Sequence, residues 1–286
     1  MTASLPVVDA GLPQLVLIYG WRQIGFAATL VILLMSGGVR GVFTPAYGGE
    51  PPANDARRST YLDMSPAIRA MQDDDTSNPA FLWVLDGEAL WRTKVGRVEK
   101  SCADCHGEAR TTMRGVATRY PAFDTTRMAP INIEGRINTC RVEHQKAEPL
   151  VLEGKGMLAL TAYVAFQSRG LVFESNDARM APFVAKGRAL FAGRQGQLNL
   201  ACAHCHDDNA GRLLAGIAIP QGHPTGYPIY RLEWQALGSL HRRLRNCLSG
   251  MRAQSYPLGS PELVALEAYL ISRAAGLKSE VPAVRP

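Results

Sequence analysis

Two short motifs of the same kind, Cys102-Ala-Asp-Cys105-His106 and Cys202-Ala-His-Cys205-His206, stand 100 residues apart. Two cysteines separated by two residues and followed at once by histidine read as a site of covalent c-type haem attachment. The thiols add across the haem vinyl groups, and the short tether places the histidine to bind the iron from one side. Two such motifs make a dihaem cytochrome c the first reading of this chain. The fold expected is mainly α: two tandem cytochrome c-like haem modules related by an internal repeat.

The flanks support the repeat. Gly87, Ala89, Leu90, Trp91 and Gly96 fall opposite Gly187, Ala189, Leu190, Phe191 and Gly196 at an offset of 100. Downstream the offset is 107, where Tyr120-Pro121 meets Tyr227-Pro228, Arg136 meets Arg243 and Cys140 meets Cys247. Further on, Leu158–Tyr163 resembles Val264–Tyr269 at an offset of 106. Each unit runs helix, CxxCH, loop, cysteine, helix. A helix is expected from about Ala178 to Phe191. In Leu232–Met251 the apolar residues Leu237, Leu240, Leu244, Leu248 and Met251 recur at helical spacing. Leu263–Ala275 is expected to be the closing helix. Pro121–Arg136 and Gly216–Tyr230 read as long loops of the kind that wrap a prosthetic group.

Six cysteines are present, four of them in the motifs. The other two, Cys140 and Cys247, hold equivalent places in the repeat, which favours one sulfur ligand per haem iron opposite His106 and His206. A Cys140–Cys247 disulfide is the alternative for an exported chain. Met128, Met180, Met251, His144 and His241 are competing ligands. The repeat does not align the histidines, and core packing is the ordinary role of methionine. His204, inside its motif, is expected to face solvent.

Helical spacing sets Arg243 one turn before Cys247 on the same face. A guanidinium there favours the thiolate and offers a forked donor to an anion. Arg242, Arg245 and Arg252 read as a solvated basic face. Around Cys140, Glu143 makes the setting less basic.

The chain has 286 residues, is 47% hydrophobic and 20% charged, and carries a formal net charge of +6. That suits a folded protein of one or two domains. With no polybasic run and no aromatic–basic interleaving, no nucleic-acid partner is expected. The apolar run Ile24–Met35, just after Arg22, is shorter than the roughly 20 residues that a bilayer-spanning helix needs. It suits a secretory signal, with Thr44-Pro-Ala46 as the cleavage candidate and an uncleaved anchor as the alternative. The organisation expected is a signal or anchor over 1–46, a linker over 47–79 with a short helix near Tyr61–Gln72, and haem domains over 80–175 and 176–286. Export to a bacterial periplasm follows.

Three stretches extend the reading: Gly193–His206, Tyr227-Pro-Ile-Tyr-Arg231 and His241-Arg-Arg-Leu-Arg-Asn-Cys247, with Ser260–Tyr269 closing the chain. In these the sequence resembles the SoxA family, the dihaem subunits of the SoxAX cytochromes of bacterial sulfur oxidation. The likeness runs from about Ser77 onward. It implies two covalently bound haem c groups, held through Cys102 and Cys105 and through Cys202 and Cys205. It implies His106 and Cys140 as the axial pair of the first iron, and His206 and Cys247 as that of the second. It implies that the second haem is the active site, that Cys247 is found as a persulfide, and that Arg243 binds substrate.

The activity implied is that of an L-cysteine S-thiosulfotransferase, joining thiosulfate oxidatively to a cysteine of the SoxYZ carrier. Electrons pass to a SoxX-like monohaem partner in a heterodimer. The alternatives are a dihaem carrier with electron transfer only, a thiosulfate dehydrogenase that forms tetrathionate, and an exported disulfide protein without haem.

Overall fold

The computed structural model describes residues 57–286. The expected signal or anchor, its apolar run and the start of the linker lie outside the described residues. Among the described residues, no helix is long and apolar enough to cross a membrane.

Two helix pairs organise the structure. In helix α2, Phe81–Arg92, the buried residues Val84, Gly87 and Trp91 share one face. Helix α6, Lys155–Phe166, is buried continuously from Met157 to Ala165, as befits a helix apolar all round. α2 packs on α6, and glycine permits the approach: a Cβ on Gly87 would lie 2.1 Å from the Ala159 carbonyl oxygen. Helix α7, Ala181–Ala192, packs on helix α10, Pro261–Arg273. There a Cβ on Gly187 would lie 2.0 Å from the Ala265 carbonyl oxygen and 2.7 Å from Tyr269 Cβ.

Both CxxCH motifs form one-turn helices, α3 at Cys102–His106 and α8 at Cys202–His206. Ser101 caps α3 in a reciprocal box with Asp104. In α8, His204 takes the acidic residue's part: its Nδ1 accepts the Ala201 N–H at 3.1 Å. It is half-buried and tied to its own helix, where the sequence pointed to solvent.

After α3 comes helix α4, Ala109–Thr112. Strands β1, Ala122–Asp124, and β2, Ala129–Ile131, then pair antiparallel and lead into helix α5, Ile133–Cys140, capped by Asn132. The second half runs in parallel fashion. A small hairpin, β3 (Leu213–Leu214) with β4 (Ile217–Ala218), follows α8. Strands β5, Ile229–Arg231, and β6, Ala236–Gly238, then pair antiparallel and lead into helix α9, Leu240–Gly250, capped by Ser239. Strand β7, Ala283–Arg285, lies parallel to β5 on its other side.

Two departures from expectation stand out. The helix expected from Leu232 begins only at Leu240, and Leu237 belongs to β6. Leu237 is 1% exposed and packs into the core of the first half with Val84, Trp91 and Tyr163, so its place in the apolar stripe is coincidence. The segment read as a linker is, from Arg57 on, built into the structure. Helix α1, Pro66–Asp73, packs on β7. Gln72 Oε1 accepts the Val284 N–H at 3.1 Å, and buried Asn78 donates to the carbonyls of Gln72 and Pro282.

The halves also meet through a half-buried acidic cluster. Ser239 N–H donates to Glu153 at 3.1 Å, and Asn132 Nδ2 donates to Glu267 at 3.2 Å. His241 Nε2 lies 3.0 Å from Glu267. Burial, reinforced by the negative charge of Glu267, pushes the Glu134 carboxyl up to about 7.

Candidate haem sites and the basic wall of the second

In the first half, α3 and α5 bring Cys102, Cys105 and Cys140 together. Burial raises the Cys102 thiol, and Cys140 adds to the rise. Cys140 is raised too, by burial first, with Glu143 and Cys105 adding to it against the opposing pull of Arg136. The His106 ring lies 5.7 Å from that of Trp91, whose Nε1–H donates to the Gly107 carbonyl at 3.1 Å. That bond anchors the turn just past the histidine.

In the second half, α8 and α9 bring Cys202, Cys205, His206 and Cys247 together. The His206 ring lies 6.3 Å from Phe191, and its Nδ1 is 2.7 Å from the Pro220 carbonyl oxygen. A carbonyl only accepts, so Nδ1 carries a proton in this contact and Nε2 is the ring nitrogen left to face the site. A histidine held in this way is set up as a metal ligand.

Cys247 is the thiol whose setting differs most from its counterpart. Burial pushes it up, but the hydrogen bond with His206 and the charges of Arg243 and Arg231 outweigh burial, and the net shift is downward. Thiolate character follows. Burial pushes the Tyr227 hydroxyl up to about 12, against the charge of Arg243. Arg231 is 7% exposed, and burial followed by the charge of Arg243 lowers its pKa. The charges of two guanidiniums therefore bear on one sulfur, with a phenol in the same neighbourhood.

The residues fit haem c. Each site offers two thiols and an imidazole at attachment spacing, with a further cysteine brought to them from a second helix. Among the described residues, no group of three or more His, Cys, Asp or Glu side chains could hold a metal ion unaided. An iron would thus depend on a macrocycle for most of its donors. All six cysteines are free, so the Cys140–Cys247 bridge does not form.

The other candidates are otherwise engaged. Met128 is 69% exposed, while Met180 and Met251 are buried in packing. His241 accepts the Gly259 N–H on Nδ1 and faces Glu267 on Nε2, and His144 lies exposed beyond α5. Arg242 stacks its guanidinium 4.2 Å over the Trp234 ring, and Arg245 is exposed.

Sequence reasoning singled out Cys247 and Arg243 but missed Tyr227, Arg231 and the Pro220 carbonyl. The last leaves no trace in side-chain identity. Tyr227 and Arg231 stood inside a recognised stretch without a role, because nothing local links β5 to α9.

The SoxA/TsdA cytochrome c domain model matches this chain twice, over residues 86–173 and 186–279. The L-cysteine S-thiosulfotransferase subunit SoxA of Pseudaminobacter salicylatoxidans is 40% identical over 233 residues, covering 81% of this chain and 82% of that protein. The subunit of the same name from Rhodovulum sulfidophilum is 34% identical over 232 residues, covering 81% of each chain. The crystal structure of SoxXA from P. pantotrophus superposes with a TM-score of 0.77 at 30% identity, covering 80% of this chain and 87% of that one. The fold is accordingly mainly helical and cytochrome c-like, and the chain belongs to the SoxA family.

Proposed function

We propose that this chain is the dihaem subunit of a SoxAX-type L-cysteine S-thiosulfotransferase. It joins thiosulfate to a cysteine thiol of a SoxYZ-type carrier and works as a heterodimer with a SoxX-type monohaem cytochrome. The carrier S–H bond breaks, one sulfur–sulfur bond forms, and one proton and two electrons leave. Bound haem c supplies a one-electron exit for those electrons.

Residues 80–175 and 176–286 are two copies of one haem module, which the double match of the family model supports. Cys102 and Cys105 tether the first haem, and Cys202 and Cys205 the second. His106 with Cys140, and His206 with Cys247, are the residues that would hold the two irons. Cys247, as thiolate or persulfide, presents the reacting sulfur, and Arg243 neutralises the incoming thiosulfate. Residues 1–46 direct the chain to the periplasm, where covalent haem attachment and the sulfur carrier belong.

The observation that carries this reading is the convergence of His206 and Arg243 on Cys247, which together draw its thiol down against burial. The test is Cys247→Ala in the assembled holoprotein with its monohaem partner. Thiosulfate-dependent turnover on the carrier should vanish while the haem stain and intact mass still report two covalent haems. Unchanged turnover would overturn the reading in favour of electron transfer alone. Turnover with thiosulfate but no carrier would favour a tetrathionate-forming dehydrogenase.

A further inference from the structure

The two hairpins that precede the cysteine-bearing helices differ in one charge. In β1/β2, Asp124 is the register partner of Ala129. In β5/β6, Arg231 is the register partner of Ala236. Both pairs are related by the offset of 107 that relates Arg136 to Arg243 and Cys140 to Cys247. Asp124 and Arg231 therefore hold the same place beside equivalent arginines.

In the first half this place neutralises. Asp124, with its side chain 4% exposed, lies 2.8 Å from the Arg136 guanidinium. It also accepts the backbone N–H groups of Thr126 and Arg127, and backbone donation from Arg127 leads the causes that hold its carboxyl below the usual range. In the second half the same place carries a second cation, close enough to Arg243 for that charge to bear on it. Arg231 has partial compensation: its Nη2 is 2.8 Å from Glu233, a carboxylate 59% exposed, and its Nε donates to the Pro286 main-chain oxygen at 2.9 Å. Arg243 makes no side-chain hydrogen bond or ion pair among the described residues. Two like charges beside each other in a largely buried wall repel, and a doubly charged anion between them relieves that cost.

We propose that Arg231 is a second anion-binding residue, forming with Arg243 a two-arginine cradle for a sulfur oxyanion of the thiosulfate class. The exchange of Asp124 for Arg231 between the halves is what confines anion chemistry to the second. This rests on the function proposed above and adds a residue and a selectivity rule to it.

Thiosulfate is the probe, titrated by calorimetry into the oxidised holo-heterodimer, with turnover measured in parallel. Arg231→Gln should weaken binding about tenfold or more and raise KM far more than it lowers kcat, and Arg231→Lys should recover part of the affinity. Glu233→Gln removes only an exposed counter-charge, and it should tighten binding severalfold. That variant keeps the idea open to refutation even where Arg231→Gln fails to fold. Asp124→Asn should remove the carboxylate shared by Arg127 and Arg136 and add a second, weaker equivalent of bound anion.

Wild-type affinity in Arg231→Gln, or unchanged affinity in Glu233→Gln, overturns the cradle. A stoichiometry that stays at one in Asp124→Asn overturns the selectivity rule. These outcomes are separable from failure of the parent reading, because Cys247→Ala tests turnover whatever Arg231 does.

Discussion

Gly187→Ala isolates the close packing that seats the second haem motif. The added methyl would lie 2.0 Å from the Ala265 carbonyl oxygen, 2.7 Å from the Ala265 carbonyl carbon and 2.7 Å from Tyr269 Cβ. The obstacles are mostly backbone, so no rotamer change relieves them, and α7 and α10 must move apart by more than an ångström. That loosens the cluster of Phe191, Leu263, Leu266 and Leu270, all 5% exposed or less.

Overpacking of this kind costs about 1–3 kcal/mol, and opening a helix crossing belongs at the upper end. Alanine's better helix propensity returns up to about 1 kcal/mol. The expected net loss is about 2 kcal/mol, or roughly 4–8 °C in Tm for a chain of this size. Gly156→Ala is the control. Its Cβ would find Leu150 Cδ2 at 3.5 Å and Leu90 Cδ1 at 3.8 Å, ordinary contacts, so the same propensity gain should leave it as stable as wild type or up to about 1 kcal/mol more stable. The assay is denaturant unfolding of the holoprotein, read by far-ultraviolet circular dichroism and by Soret absorbance. If Gly187→Ala proves as stable as Gly156→Ala, the tight crossing is not what the structure implies.

Three further expectations concern other parts of the fold. Asn78→Ala abolishes two donated bonds and the acceptance of the Ala80 N–H. The partners left buried should make it cost about 3 kcal/mol in denaturant unfolding; a loss below 1 kcal/mol would show the N-terminal segment to be only loosely docked. Glu134 is held protonated by burial and Glu267 up to about 7. Because this pKa is raised, its share of stability is full below about 4.5 and is lost as pH climbs through 7. Glu134→Gln should therefore gain on wild type between pH 5 and 8, by no more than about 3 kcal/mol, and parallel pH profiles of the two proteins would refute the assignment. Trp91→Phe removes the bond to the Gly107 carbonyl and should cost about 1 kcal/mol, measured by thermal melts. A change in covalent haem content would instead point to a role in attachment.

The haem motifs were legible because their chemistry is written within five residues. The α7 and α10 helices were legible because glycine, capping and apolar spacing act within a turn or two. Arg243 was found by the same short-range logic, one helical turn from Cys247. What escaped depends on contacts far along the chain. Leu237 fits a helical stripe, yet strand pairing with Tyr230 and burial beneath α2 decide its conformation. Strands of two or three residues carry too little alternation to register as such, which hid the hairpins. The packing of Gln72 and Asn78 against residues beyond 280 turned an apparent tether into core. Arg231 became visible only when two strands, each unremarkable in sequence, were compared at matching positions beside their helices.

Strand β7 imposes an order of assembly. The helix pair that frames the first motif is complete once residues 81–166 exist, so that half has its scaffold early. The wall around Cys247 is different: β5 borders residues 283–285, and Arg231 is braced by Pro286. One short strand thus ties residues far apart in the chain to the wall beside the second motif, and loosening it would loosen Arg231 as well.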